Sequence, residues 1–346
     1  MAGVQPGVLE SPAVGEPFRA FVARTTDAGT RGAVEQIARD ALPAGEVTIA
    51  VEYSSLNYKD ALAATGQNKV AASYPHVPGI DAAGTVAAST DPAFAPGARV
   101  LVTGYDFGAL RWGGWSGLAR VPADWVVPIP DGLSTFEAMA IGTAGFTAAQ
   151  AVEALARNGT TPESGPIVIT GATGGVGCLA VDLFASAGYR VIAVTGKADQ
   201  HDWLRTLGAS EILPREAVSL ANDGRPKPLL PTRWAGALDN VGGATLEALV
   251  RSTQTGGNVA LCGLVGGADY RGTVMPFILR GVGLLGITSS NTPMPVRQHL
   301  WQRLATDLRP RHLADVARTV PLEALPAEID RMLAGQAFGR VVVPLA

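Results

Sequence analysis

The spacing of apolar positions divides the chain into two unlike stretches. In the first, Val47, Ile49, Val51 and Tyr53 fall on one face of the segment 46–53, as a half-buried strand requires. Phe18 to Thr25 predicts an earlier strand, and Ala98 to Thr103, Gly117 to Pro122 and Trp125 to Pro128 predict short ones bounded by turns. Ser54 to Asp60 reads as a loop that leads into a short helix ending near Ala64. In Tyr74 to Val86, two prolines and two glycines fix loops between short strands. Together these segments predict a small, irregular, β-rich barrel. The pattern changes at Ser134, where Ser134-x-x-Glu137 is a capping box that opens a helix, and Thr143 to Arg157 follows as a second, alanine-rich helix.

In the second stretch, continuous apolar runs alternate with helical patterns. Ile167, Val168 and Ile169 suit a strand covered on both faces; a glycine turn, a helix that starts near Gly175 with Leu179 to Ala187 of helical composition, and a strand from Tyr189 to Thr195 follow. Further elements are expected as a helix at 199–207, a strand at 211–213, a proline-rich linker at 223–231 and a strand at 236–241. A helix at 244–252 and strands at 258–262 and 282–288 complete the series. Strand and helix in alternation predict a doubly wound parallel sheet of the Rossmann type with about six strands. An amphipathic helix at 295–308 and a terminal strand at 339–344 are surplus to that sheet. The expected division is therefore a β-rich domain at 1–141, completed by 291–346, and a dinucleotide domain at 142–290.

Composition narrows the class. Hydrophobic residues make up 47% of the chain and charged residues 16%, which fits a buried parallel sheet and excludes a disordered or coiled-coil chain. Twenty-seven basic and 30 acidic residues are interspersed, with a formal net charge of −3, so no basic stripe is available for nucleic acid. Cys178 and Cys262 are too few for a disulfide framework and lack metal-ligand spacing, so both are expected as free thiols in a reducing compartment. Residues 1–17 lack a basic segment followed by an apolar core, and no run of 18 apolar residues occurs, so the chain is expected in the cytoplasm and off the membrane.

Candidate chemistry begins at Gly171-x-x-Gly174-Gly175-x-Gly177. A pyrophosphate needs backbone N–H groups aimed at it without side chains in the way, and the turn Thr173-Gly174-Gly175-Val176 at a helix N-terminus offers them. The second strand ends Val194-Thr195-Gly196-Lys197, without the carboxylate that usually receives a ribose 2′-hydroxyl. Thr195 can donate a hydrogen bond, Gly196 admits the backbone, and Lys197, with Arg215 after the next strand, supplies charge for a 2′-phosphate. NADPH is the expected cofactor. The alternative is a solvated Lys197 with Asp199 in the acidic role.

A β-rich first domain, an inserted dinucleotide domain and a returning C-terminus resemble the medium-chain dehydrogenase/reductase superfamily over nearly the whole chain. Five strings narrow the likeness: Ser54-Ser-Leu-Asn-Tyr-Lys-Asp-Ala-Leu62, His76-Val-Pro-Gly-Ile-Asp-Ala-Ala-Gly-Thr-Val86, Gly142-Thr-Ala-Gly-Phe-Thr-Ala148, Leu207-Gly-Ala-Ser210 and Met275-Pro-Phe-Ile-Leu-Arg280. They look like the bacterial acrylyl-CoA reductase branch, also labelled quinone oxidoreductase. The resemblance implies a GroES-like barrel for the first domain and NADPH-dependent reduction of the double bond of a 2-enoyl thioester. Zinc relatives carry Gly-His-Glu where this chain has Pro78-Gly79-Ile80-Asp81, and they add four clustered cysteines that are missing here. No zinc site is expected, which favours an alkene that can spread charge onto its own carbonyl.

The same resemblance places Tyr58 beside the nicotinamide, where its hydroxyl orients the carboxamide or assists protonation; packing at a domain interface is the alternative. Asn57 and Lys59 flank it with hydrogen-bonding capacity, and Asn57 and Asp81, the latter where zinc relatives have a ligand, are the further catalytic candidates; for Asp81 a structural carboxylate bonded to loop N–H groups is the alternative, and for His76 a structural role. Leu264, Ile278 and Ser289 fall at positions the family uses for cofactor contacts, and Arg340, near the end, could reach the cofactor from the first domain. Arg111, Arg280, Arg297 and Arg303 are candidates for coenzyme A phosphates, or else ordinary solvated arginines. Activity on an enoyl thioester leads, a quinone or enone reductase is the nearest alternative, and a non-catalytic NADPH-binding protein is the alternative from another class. A homodimer paired through the strand at 282–288 is expected, since an apolar edge of that length should not stay bare.

Overall fold

A computed structural model describes residues 16–220 and 227–345. Part of the linker expected at 223–231, and residues 1–15 of the N-terminal stretch, lie outside the described residues. By contacts the chain forms two compact units. One runs to Gly142 and resumes at Arg318–Ala337 and from Val341, and the other comprises Thr143–Ala317 with Phe338–Arg340.

The first unit opens with a hairpin, β1 (Phe18–Thr26) and β2 (Gly29–Ile37). Its main sheet is built on β3 (Val47–Leu56), whose aliphatic residues are buried while Tyr53 is only partly so, and which leads straight into α1 (Tyr58–Thr65). β4 (Asp81–Ser89), β5 (Arg99–Thr103), β6 (Leu118–Val121) and β7 (Val127–Pro128) follow. β4 and β6 both pair antiparallel with β3, β5 pairs with β4, and β7 pairs with β5. Val47, Ile49, Val51, Val86, Val100 and Val102 pack together as one core of this sheet.

The expected pair of helices after Ser134 forms as one run, α2 (Thr135–Arg157), broken at Gly142. The capping box is present: Glu137 accepts the Ser134 amide at 2.9 Å and donates its own to Ser134 Oγ at 3.1 Å. Gly142 stands at φ 51°, ψ −161°, open to glycine and strained for any other residue, and the first unit ends there.

The second unit is the doubly wound sheet. β8 (Ile167–Thr170), α3 (Gly175–Ser186), β9 (Val191–Val194), α4 (His201–Thr206) and β10 (Ala209–Leu213) form one half. β11 (Trp234–Asp239), α5 (Gly243–Ser252), β12 (Thr253–Leu261), α6 (Met275–Arg280) and β13 (Gly283–Gly286) form the other. All six strands are parallel, in the order β10-β9-β8-β11-β12-β13, so the strand order reverses between β8 and β11. Ligands of such sheets lie beyond the carboxyl ends of the strands at that reversal.

The returning C-terminus differs from expectation. α7 (Met294–Ala305) and α8 (Leu313–Val316) belong to the second unit, so the boundary falls at Ala317/Arg318 and not at 290/291. The reason lies in α7: Arg297, Leu300, Trp301, Leu304 and Ala305 are buried at helical spacing, and Trp301 stacks on Phe146 of α2 at 6.1 Å. β14 (Ala317–Thr319) and β15 (Arg340–Pro344) join the first sheet, with β15 antiparallel to β3 in the register Val341↔Leu56, and α9 (Leu325–Leu333) between them belongs to the first unit.

Candidate active site

In the second unit the cradle is made by the turn from β8 into α3. A Cβ on Gly177 would lie 2.2 Å from the Gly171 carbonyl oxygen, so the helix can approach the turn only without a side chain there. The positions of Gly174 and Gly175 are less crowded: a Cβ on Gly174 would meet only the Gly171 oxygen, at 3.3 Å, and one on Gly175 would touch the Arg340 guanidinium at 3.2 Å. A buried cation therefore stands at the positive end of a helix, where an anion is the natural third party. The Gly339 amide donates to the Thr173 carbonyl at 3.0 Å, tying the Arg340 segment to the turn. Val176 is partly exposed in the first turn of α3.

At the tip of β9, Thr173 and Thr195 are buried with their hydroxyls 3.4 Å apart, and the Lys197 amide donates to Thr195 Oγ1 at 3.1 Å. The Arg215 side chain lies over Gly196, where a Cβ would come within 2.7 Å of Nε. Burial and the neighbouring Arg215 charge lower the Lys197 ammonium below its ordinary value, with Asp199 opposing them. Lys197 and Arg215 thus stand together beside an exposed glycine. Asp199 is engaged by the Gln200 amide at 2.8 Å.

Leu264 and Ile278 are 58% and 71% exposed, open to a ligand or partner. Ser289 lies on a turn whose carbonyl accepts from Arg297 at 2.8 Å.

In the first unit Tyr58 stands on the first turn of α1, not on the extended loop expected from sequence, and it is 41% exposed. Asn57 is the N-cap, and its amide donates to Asp60 Oδ2 at 2.8 Å, so Asn57-x-x-Asp60 is itself a capping motif. The Asp60 carboxylate also accepts the Gly79 and Ile80 amides at 3.1 and 2.8 Å. Asp81 takes Ser55 Oγ at 2.6 Å and Asn57 Nδ2 at 2.8 Å, and Asn57 Nδ2 reaches Asp60 as well, at 3.2 Å. Both carboxylates are fully buried. Two amides of the loop before Asp81, those of Gly79 and Ile80, thus go to Asp60. Burial, then the Asp81 charge, push the Asp60 carboxyl up to about 7 against these donors.

Asp60 and Ser55 were not singled out from sequence, though the capping spacing at Asn57 was a usable signal for Asp60. His76 is buried with Nε2 3.1 Å from the Gly108 carbonyl, a structural placement, and burial lowers its imidazole. Of the arginines suggested for coenzyme A, Arg280 donates to the Arg251 and Leu230 carbonyls at 2.9 and 2.8 Å, and Arg303 pairs with Asp307. Arg297 is buried over the Phe146 ring, and Arg111 lies over Trp125 and donates to the Ala44 carbonyl. Each holds the fold. Among the described residues no three His, Cys, Asp or Glu side chains are grouped to hold a metal ion.

The fold and these two clusters define a medium-chain dehydrogenase/reductase. Residues 43–131 match the alcohol dehydrogenase GroES-like domain family, and residues 175–306 the family described as zinc-binding dehydrogenase. Within that superfamily the chain belongs to the acrylyl-CoA reductase branch. It is 48% identical over 314 residues to the acrylyl-CoA reductase AcuI of Ruegeria pomeroyi, covering 91% of this chain and 94% of the relative. It is equally similar, 48% over 313 residues with 90% and 94% covered, to YhfP of Bacillus subtilis, which carries the name of a quinone oxidoreductase. The YhdH oxidoreductase of Salmonella enterica, solved with NADP, is 44% identical and superposes with a TM-score of 0.91 over 95% of this chain and 100% of that one. The solved YhfP has NAD bound and superposes with the same score, at 47% identity over 95% and 99% of the two chains.

Proposed function

We propose that this protein reduces the carbon–carbon double bond of a short 2-enoyl thioester with NADPH, converting acrylyl-CoA to propanoyl-CoA, and that it does so in the cytoplasm as a homodimer. The observation that carries the cofactor is the pair Lys197 and Arg215 at the tip of β9, two cations beside a strand end, Val194-Thr195-Gly196-Lys197, that itself holds no carboxylate. The identity to AcuI supports the substrate. Bound NADPH supplies a hydride for the β-carbon of the activated alkene.

The chain's residues do the rest. Amides of the Thr173–Val176 turn and the Arg340 guanidinium receive the pyrophosphate; Thr195, Gly196, Lys197 and Arg215 receive the ribose phosphate. Leu264, Ile278 and Ser289 contact the cofactor farther along the sheet. The exposed Tyr58 hydroxyl orients the carboxamide or delivers the α-carbon proton. Asp81 and Asp60, being buried, act through Asn57 to hold the first turn of α1 and so fix where Tyr58 stands. Cytoplasmic placement is supported by two free cysteines and by the absence, among the described residues, of a helix long and apolar enough to cross a membrane.

A second reading, reduction of a quinone, is favoured by the name of YhfP. NADPH oxidation with acrylyl-CoA and with 1,4-benzoquinone, by wild type and Tyr58→Phe, separates the two. Faster turnover of the thioester is expected, with kcat lowered roughly 5- to 100-fold in the variant and NADPH affinity changed only a few-fold. Faster turnover of the quinone would replace the first reading with the second. Binding of NADPH without oxidation on either acceptor would leave a cofactor-binding protein.

A further inference from the structure

The reversal of strand order in the second unit has a polar knot at its floor. Thr170 ends β8, the strand that feeds the phosphate turn, and Asp239 ends β11, its neighbour across the reversal. Thr170 Oγ1 donates to Asp239 Oδ1 at 2.6 Å and accepts the Asn240 amide at 3.0 Å, and the Thr170 carbonyl accepts Asn240 Nδ2 at 2.8 Å. Asp239 is fully buried, and its oxygens also accept the amides of Val241 at 3.1 Å and Gly242 at 2.8 Å. A third strand end joins: the Cys262 amide donates to the Asp239 carbonyl at 3.1 Å, and its thiol to Asn240 Oδ1 at 3.0 Å. Beyond it, Gly266 donates to the Val241 carbonyl at 2.8 Å, and Gly242 and Gly267 form a bridge. The turn 240–243 and the loop 263–267 are thereby fastened to the residue just before Gly171.

A dinucleotide straddles such a reversal, with its adenosine half over β8, β9 and β10 and its other half over β11 and β12. We propose that Thr170 and Asp239 are positioning residues that couple the two halves of the cofactor site, setting the loops that receive the nicotinamide end by the same bonds that anchor the diphosphate turn. This rests on the NADPH reading above. It requires that loss of the Thr170 hydroxyl weaken the whole cofactor and spare its adenosine end.

The test compares NADPH with 2′,5′-ADP, which carries only the adenosine half. Dissociation constants are measured by NADPH fluorescence and by displacement or calorimetry for wild type, Thr170→Val and Thr170→Ser. The valine variant should weaken NADPH roughly tenfold, as loss of a buried hydrogen bond does, while 2′,5′-ADP stays within about twofold, and the serine variant should restore wild-type binding. Should Thr170→Val fail to fold, Asp239→Asn replaces one of the two acceptor oxygens by an NH2 donor, breaks the knot at Gly242 or at Thr170 and Val241, and carries the same expectation. Equal weakening of both ligands, or of neither, would overturn the coupling while leaving the NADPH reading intact. A wild-type protein that binds 2′,5′-ADP and NADPH equally weakly would overturn both.

Discussion

At Lys197 the cost of holding a cation beside Arg215 is already present before any phosphate arrives. A dianion that relieves this repulsion should depend on both side chains. Lys197→Ala is expected to raise the KM for NADPH roughly ten- to a hundred-fold and leave that for NADH nearly untouched, since a charge-assisted bond is worth about 1.5 to 3 kcal/mol. A wild-type preference for NADH in the same steady-state series would refute the assignment. Asp60 makes a different kind of prediction. Burial, then the Asp81 charge, push its folded carboxyl up to about 7 from the ordinary carboxylate range, so the folded state binds an extra proton across that window. Its contribution is fully present below about pH 4 and is lost as pH rises through 7, up to about 4 kcal/mol over the window if the whole shift is realised. Urea unfolding from pH 4 to 8 should show Asp60→Asn less stable at low pH but flatter by up to one proton; an identical slope in both proteins would contradict it.

Among the elements, the β8–α3 turn has the narrowest tolerance. Gly177→Ala puts a methyl against the Gly171 carbonyl, which is backbone and cannot swing aside, so α3 must lift from the turn. A loss of about 1 to 3 kcal/mol in unfolding free energy is expected, together with at least a tenfold loss of NADPH affinity by fluorescence titration. An alanine variant with wild-type affinity would show that α3 need not seat so closely. This element was readable from sequence because its demands are local: apolar strand, glycines, helix. The helix start at Tyr58 was less so, since Asn57 and Asp60 cap it with an amide–carboxylate pair in place of the usual hydroxyl and glutamate. Bonds such as Thr170 to Asp239 join residues far apart in the chain, and no periodicity signals them. The arginines fared likewise: Arg280 and Arg297 look like free cations in a string of letters, and only the fold brings carbonyls to them.

For the whole molecule, β13 is the last strand of the parallel sheet, and Leu284 on it is 36% exposed while Leu264, Ile278 and Leu279 nearby in sequence are more exposed still. An uncovered edge of this kind is a template for another copy. Light scattering at micromolar concentration should return about twice the 35.6 kDa of the chain, and Leu284→Lys should return one chain's mass. A monomeric wild type would remove the dimer from the proposal.

The register of β15 against β3 places the last strand of the first unit beside one of its earliest. During synthesis, Leu56 leaves the ribosome long before Val341 exists, and the entire parallel sheet is made in the interval. The strands of the parallel sheet all lie between and can pair as soon as they emerge, whereas the first sheet must wait for β15. The order of maturation thus inverts the order of the sequence, and the nascent first sheet spends that wait with β3 unpaired on the side of Tyr53–Leu56 that β15 will cover, which is where a chaperone would be of use.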